Sequence, residues 1–246
     1  MILTIQKSGP SGSFAREFQI ENRGQTLLDM LKTIKKTEDS SLGFRHACGS
    51  GICGSCAVRV DGRPVIACTY KPTGDAITVE PLEGVAVLRD LMIDEAVFEQ
   101  KQRLAKAYLS PRETTLSPTQ SDLEQFARQS TCIECASCYS ACPVIKVTPD
   151  FMGPFILTKS WRYVTDSREG NEKEKIDAIQ PNGVWDCILC GDCVPVCPQG
   201  INPKMDITFL QTRSSAHGHM NPNMGGFGGG FGGGYDSFGG FTPSFS

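Results

Sequence analysis

Twelve cysteines are the residues with which this chain of 246 residues can do chemistry. They form three groups of four: Cys48, Cys53, Cys56 and Cys68; Cys132, Cys135, Cys138 and Cys142; and Cys187, Cys190, Cys193 and Cys197. Four thiolates together bind a zinc ion or an iron–sulfur cluster, whereas the cysteines of exported proteins usually pair as disulfides. Because no cysteine lies outside the groups, the pattern predicts three metal or cluster sites.

The second and third groups share the spacing C-x2-C-x2-C-x3-C, and a proline, Pro143 or Pro198, follows each group. This run resembles the one with which bacterial ferredoxins hold [4Fe–4S] clusters. In ferredoxins with two clusters, the fourth cysteine of each run ligates the cluster of the other run. The resemblance implies one [4Fe–4S] cluster on Cys132, Cys135, Cys138 and Cys197, and a second on Cys142, Cys187, Cys190 and Cys193.

The first group has the spacing C-x4-C-x2-C, and Cys68 follows after an x11 interval. Plant-type ferredoxins use this spacing for a [2Fe–2S] cluster. We expect the glycines of the loop to allow tight turns, and the Asp61-Gly62 turn to return Cys68 to Cys56. A zinc ribbon is the alternative. His46 is predicted to be a neighbour and not a Rieske-type ligand, because four cysteines already suffice.

The elements around the first group mix strands with a helix. Residues 1–7 and 14–20 alternate apolar and polar side chains, which predicts a β-hairpin. Thr26 is predicted to cap a helix, and residues 57–60, 64–68 and 77–80 to form strands. A further helix is expected over residues 87–102, because its apolar side chains recur at helical spacing.

The chain beyond residue 105 predicts helices only. Ser121 and Glu124 fit a capping box, Pro154 suits a helix start, and residues 201–210 predict a last short helix. The end of the chain is rich in glycine and phenylalanine, which is typical of disordered segments or of segments that dock on a partner. The fold class is therefore α+β, with domains at 1–105 and 106–215 and a low-complexity tail at 216–246.

Composition and motifs exclude several classes of function. The net charge of −3 argues against nucleic acid as a partner. The sequence contains no apolar run of roughly 18 residues, so no membrane span is predicted, and the N-terminus lacks the features of an export signal. The chain has no dinucleotide-binding glycine motif and no nucleophile constellation, so we expect no catalytic residue. Iron–sulfur clusters transfer single electrons, which predicts conduction between other subunits.

Over residues 1–212 the chain resembles the iron–sulfur subunit of succinate dehydrogenase and fumarate reductase. The resemblance is carried by the combination of Arg45-x-x-Cys48, the plant-type spacing and the two later cysteine runs. The resemblance implies a plant-type ferredoxin domain of the β-grasp fold, followed by an all-α domain of the bacterial ferredoxin type. It also implies a flavoprotein partner, which alone carries FAD, and either a membrane anchor or a Cys-rich subunit similar to heterodisulfide reductase. The chain is then expected in the cytoplasm, held peripherally at the inner face of the cell membrane by its partners.

Two features depart from the common pattern of that family. Most members lack a cysteine at the place of Cys190 and hold a [3Fe–4S] cluster, so Cys190 implies a second [4Fe–4S] cluster, with [3Fe–4S] as the alternative. Val144, Val147 and Ile188 stand where members commonly have the Ser, Trp and His that contact quinone. This pattern is similar to the branch whose acceptor is a methylated menaquinone or a thiol/disulfide pair.

Two competing hypotheses accompany this interpretation. The same electron path would also serve another flavoenzyme, such as a thiol:fumarate reductase or a hydroxyacid dehydrogenase. A hypothesis of a different class is a zinc-binding interaction module, which would be colourless and would contain no sulfide.

Overall fold

A computed structural model describes residues 1–9, 12–113 and 117–222. Its first part contains five paired strands and one helix: β1 (Ile2–Gly9), β2 (Gly12–Gln19), α1 (Leu27–Thr37), β3 (Ala57–Val60), β4 (Arg63–Ile66) and β5 (Ala76–Glu80). The strand order in the sheet is β2-β1-β5-β3-β4. Strands β1 and β5 are parallel and the other neighbours are antiparallel, so the two hairpins lie at opposite edges of the sheet.

The helix α1 begins and packs as its sequence predicts. The Thr26 side chain accepts a hydrogen bond from the backbone N–H of Asp29, which satisfies a donor at the start of the helix. The apolar face of the helix is fully buried against the sheet: Leu27, Leu31 and Ile34 pack with Leu3, Ile5, Val58 and Val79. The β1–β2 hairpin and the Asp61-Gly62 turn are likewise confirmed.

The helix predicted over residues 87–102 is wrong in its first half. Residues Val87–Arg89 and Met92–Ile93 form a small hairpin, β6–β7, and only Ala96–Leu104 is helical, as α2. Asp90 explains the difference, because it turns with φ 50° and its buried carboxylate accepts the backbone N–H groups of Ser8 and Gly43 at 2.7 Å each. Tertiary hydrogen bonds therefore override the local helical spacing.

The second part of the described chain is helical. Its helices are α3 (Gln120–Ser130), α4 (Ser137–Ser140), α5 (Pro143–Val147), α6 (Pro154–Val164), α7 (Glu172–Ala178) and α8 (Pro203–Ala216). The capping box of α3 is formed by Thr119 and Asp122, two residues before the predicted pair of Ser121 and Glu124. Helix α6 starts at Pro154 as predicted, whereas α7 was not predicted and α8 is longer than expected.

Side chains from the first part of the chain are buried in the core of the second part. Leu82, Ile93 and Phe98, which precede residue 105, are buried in the helical core. The division at residue 105 stays a prediction, and most of the predicted tail, residues 223–246, lies outside the described residues. Over the ranges that the structure describes, no helix is both long and apolar enough to cross a membrane.

Candidate cluster-binding sites

The loop that carries Cys48, Cys53 and Cys56 turns its backbone N–H groups toward sulfur. Three of them, from Ser50, Ile52 and Cys53, donate to the Cys48 Sγ at 3.3, 3.4 and 3.4 Å. The Gly51 N–H donates to the Cys68 Sγ at 3.2 Å. Such donors stabilise negative charge on a ligating sulfur and tune a bound cluster.

The β3–β4 hairpin returns Cys68 to the side of Cys56. Ala57 pairs with Ile66 across the ladder, so Cys56, just before Ala57, lies close to Cys68, two residues after Ile66. Burial, with the neighbouring Cys68 thiol, raises the pKa of Cys56 to about 11. Nearer the surface, a hydrogen bond with the Ser55 hydroxyl lowers the pKa of Cys53 to about 6. The structure therefore brings together the four cysteines of the first group.

The loops of the second and third groups share left-handed turns at two matching positions. Glu134 and Leu189, each two residues after the first cysteine of its run, turn with φ 54° and 55°. Ala136 and Gly191, each four residues after that cysteine, turn with φ 59° and 94°. Left-handed turns at non-glycine residues are uncommon, so their recurrence at matching positions indicates two equivalent ligand loops. Cys190 thus occupies in the loop of the third group the position that Cys135 occupies in the loop of the second group.

One cavity in the helical domain is enclosed by sulfur and apolar side chains. Its lining includes the first three cysteines of one run and the last cysteine of the other: Cys132, Cys135, Cys138 and Cys197. Phe155 and Pro198 close its sides. Burial raises the pKa of Cys132 to about 11 and holds that of Cys138 well above its ordinary value. Four thiolates at this depth need compensating positive charge, which the iron of a cluster supplies.

The remaining four cysteines of the helical domain also gather at one place. Burial, followed by the charges of Cys187, Cys142 and Cys190, raises the pKa of Cys193 to about 12. Cys193 also contributes to the raised pKa of Cys138, so the two sets of four are neighbours. In the described chain, no three Cys, His, Asp or Glu side chains are arranged to hold a single metal ion. The eight cysteines of the helical domain thus form two adjacent sets of four.

Several residues that support these sites were not predicted from the sequence. The Ser55 hydroxyl lies 3.1 Å from the Cys53 Sγ, and the Ser137 hydroxyl lies 3.3 Å from the Cys135 Sγ. The recurring pattern Cys-x-Ser was a signal that could have identified both. Phe155 had no such signal, because it reaches the first cavity only through the packing of α6.

Family models match both parts of the chain. A "2Fe-2S iron-sulfur cluster binding domain" matches residues 3–100, and a "4Fe-4S dicluster domain" matches residues 128–201. A solved structure, the Mycobacterium smegmatis Sdh1 complex in the apo form, has the same fold, with a TM-score of 0.80 at 23% identity. The likeness covers 88% of this chain and 95% of that one.

Curated relatives match along most of their length. The fumarate reductase iron–sulfur subunit of Mycobacterium tuberculosis is 32% identical, over 88% of this chain and 94% of its own. The succinate dehydrogenase iron–sulfur subunit of Coxiella burnetii is 34% identical, over 86% and 96%. The 8-methylmenaquinol:fumarate reductase iron–sulfur subunit of Wolinella succinogenes is 33% identical, over 82% and 67%.

Proposed function

Because the chain belongs to the family of succinate dehydrogenase and fumarate reductase iron–sulfur subunits, we propose that its cysteine groups hold three clusters in one electron path. The chain is the electron-transferring, non-catalytic subunit of such an oxidoreductase. The observation that carries the proposed path is the contact between the loops. Gly54 of the first loop lies against Ile133 and Cys135 of the second, and Cys138 neighbours Cys193 of the third.

The donor sets determine which clusters are proposed. Cys48, Cys53, Cys56 and Cys68 would hold a [2Fe–2S] cluster, in a loop whose N–H groups already face sulfur. The cavity of Cys132, Cys135, Cys138 and Cys197 would hold a [4Fe–4S] cluster. When bound, these clusters supply one-electron redox chemistry. The chain would hold them in three adjacent sites, in two of which a ligand, Cys138 or Cys193, is buried.

The third site is proposed to hold a second [4Fe–4S] cluster, not a [3Fe–4S] cluster. Its ligands would be Cys142, Cys187, Cys190 and Cys193. The matching backbone turns of the two loops support this, because they give Cys190 the same position relative to Leu189 and Gly191 that Cys135 has in its own loop.

The two ends of this path have exposed apolar residues. Ile52, beside the first site, is 69% exposed, and we assign its surface to a flavoprotein partner that carries FAD. Val147 and Ile188, beside the third site, are 80% and 66% exposed, and we assign their surface to the partner that exchanges electrons with a quinone or a thiol/disulfide pair. That partner would hold the chain at the cytoplasmic face of the membrane.

Anaerobic purification of the full chain tests this proposal. We expect a brown protein with about ten iron atoms and sulfide to match, and EPR signals of both cluster types after reduction. Zinc without sulfide would overturn the proposal. Copurification with a flavoprotein and assay with succinate against 2-hydroxy acids would separate the proposed substrate pair from the alternative, service to a hydroxyacid dehydrogenase.

A further inference from the structure

Lys101 is a buried cation beside α4, the helix between the two proposed [4Fe–4S] (cubane) sites. It lies on α2, and its side chain enters the helical core, where the residue is only 8% exposed. Its Nζ donates to the Tyr139 hydroxyl at 2.9 Å and to the carbonyls of Pro149 and Phe151 at 2.5 Å each. An ammonium group has three donors, and here all three have acceptors.

Tyr139 connects this cation with both cubane sites. It lies on α4 between Cys138, a predicted ligand of the first cubane, and Cys142, a predicted ligand of the second. The backbone N–H of Cys142 donates to the Tyr139 carbonyl at 3.1 Å. On its other side the ring packs edge-on against Phe155, which lines the first cavity. Lys101 is thus one aromatic layer behind the sulfur ligands.

The charge of Lys101 is weakly compensated by protein groups. Burial lowers the pKa of Lys101, the charge of Asp150 opposes this shift, and among the described residues no carboxylate forms an ion pair with Lys101. A cluster with four thiolates is anionic and gains one more negative charge on reduction. In a poorly solvated core, a nearby cation favours the more negative state.

We propose that Lys101, held by Tyr139 and two carbonyls, is a positioning residue that raises the reduction potential of the cluster ligated by Cys142. The proposal rests on the proposed function, since it requires a cluster at that site. Lys101 touches no ligand directly, so its effect is electrostatic and is transmitted through the core.

Lys175 provides a matched control. It is 1% exposed and donates to the carbonyls of Lys106 and Tyr108 and to the Ser110 hydroxyl. Unlike Lys101, it has a carboxylate partner, Glu169 Oε2 at 3.3 Å. Removal of either lysine leaves buried carbonyls unpaired, so both variants should lose stability. Only one of them should change a redox potential.

EPR-monitored redox titration of the anaerobic full chain tests the proposal. Lys101→Met should lower the reduced-to-oxidised ratio of the Cys142 cluster at least tenfold at a fixed potential, which equals about 59 mV for one electron. Lys101→Arg should match the wild type, and the [2Fe–2S] cluster serves as the internal reference. Should Lys101→Met fail to fold, Lys101→Gln keeps two donors without the charge and should give the same shift.

The outcomes separate this proposal from the one on which it rests. Unchanged titration of the Cys142 cluster in the neutral variants, or an equal shift in Lys175→Met, would overturn the role of Lys101 while leaving the electron path intact. Absence of cluster signals from the wild-type chain would instead overturn the proposed function itself.

Discussion

Gly54 and Ile133 bring the backbones of two cluster loops into direct contact. A Cβ added to Gly54 would stand 2.4 Å from the Ile133 carbonyl oxygen and 3.0 Å from the Cα of Cys135. Gly54 also turns with φ 72°, a conformation that other residues rarely adopt. Glycine is therefore required here both by the local turn and by the neighbouring domain.

Gly54→Ala should weaken both the fold and the electron path. We expect a loss of about 2–4 kcal/mol in the free energy of unfolding, from left-handed backbone strain and from overpacking. Gly49→Ala is the control, because Gly49 has φ 70° and open space around its Cβ position. It should lose only about 1–2 kcal/mol. Thermal unfolding and flash-induced electron transfer between clusters measure the two effects; equal losses in both variants would contradict the contact.

Cys190→Ala should convert the third site to a three-iron cluster. Cys190 is exposed, so the substitution itself should change folding stability by less than about 1 kcal/mol. Iron should fall by about one atom per chain, and oxidised samples should show the EPR signal of a [3Fe–4S] cluster. The neighbouring variant Ile188→Ala should leave iron content unchanged. If the wild type already shows that signal, Cys190 is not a ligand.

Charges on the two exposed apolar surfaces should interrupt opposite ends of the path. Ile188→Glu should block transfer to the terminal acceptor while dye reduction by the flavoprotein complex continues, because a charged group would be desolvated in that interface. Ile52→Glu should instead prevent reduction of the clusters by the flavoprotein. Steady-state assays of the purified complex with each acceptor distinguish them. The same defect in both variants would contradict the assignment of two surfaces.

Asp206→Asn should stabilise the chain, and more so at high pH. Burial raises the pKa of Asp206 to about 6, although Gln129 and Thr158 donate hydrogen bonds to its carboxylate. The folded-state pKa of Asp206 exceeds the unfolded value of 3.8, so the folded protein favours the protonated carboxyl. The stabilising contribution of that proton is complete below pH 3.8 and is lost as the pH rises through about 6. The variant should therefore gain roughly 1–3 kcal/mol at pH 8 and about half as much at pH 5.

Asp166→Asn should destabilise the chain at neutral pH, which is the opposite of the effect expected for Asp206→Asn. Burial alone would raise the pKa of Asp166, but hydrogen bonds from Arg168 and Arg162 hold it below its ordinary range. Its contribution is present at neutral pH and is lost on acidification. Thermal unfolding of both variants should give shifts of opposite sign at pH 8. A stabilised Asp166→Asn, or an Asp206→Asn without pH dependence, would contradict these environments.

Spacing along the chain was enough to predict the chemistry. The cysteine groups, the β1–β2 hairpin, the cap at Thr26 and the order of two ferredoxin-like parts all depend on residues close together in sequence. Local backbone preferences and ligand intervals act over a few residues, so the sequence expresses them directly.

Only the tertiary structure decided the contacts between those parts. The segment 87–93 is a hairpin because Asp90 bonds to Ser8 and Gly43, which are remote in sequence. Residues remote in sequence also meet where Gly54 lies against Ile133 and where Lys101 donates to the Tyr139 hydroxyl. Such interactions gain their energy from burial and hydrogen bonding across the fold, and no interval in the sequence records them.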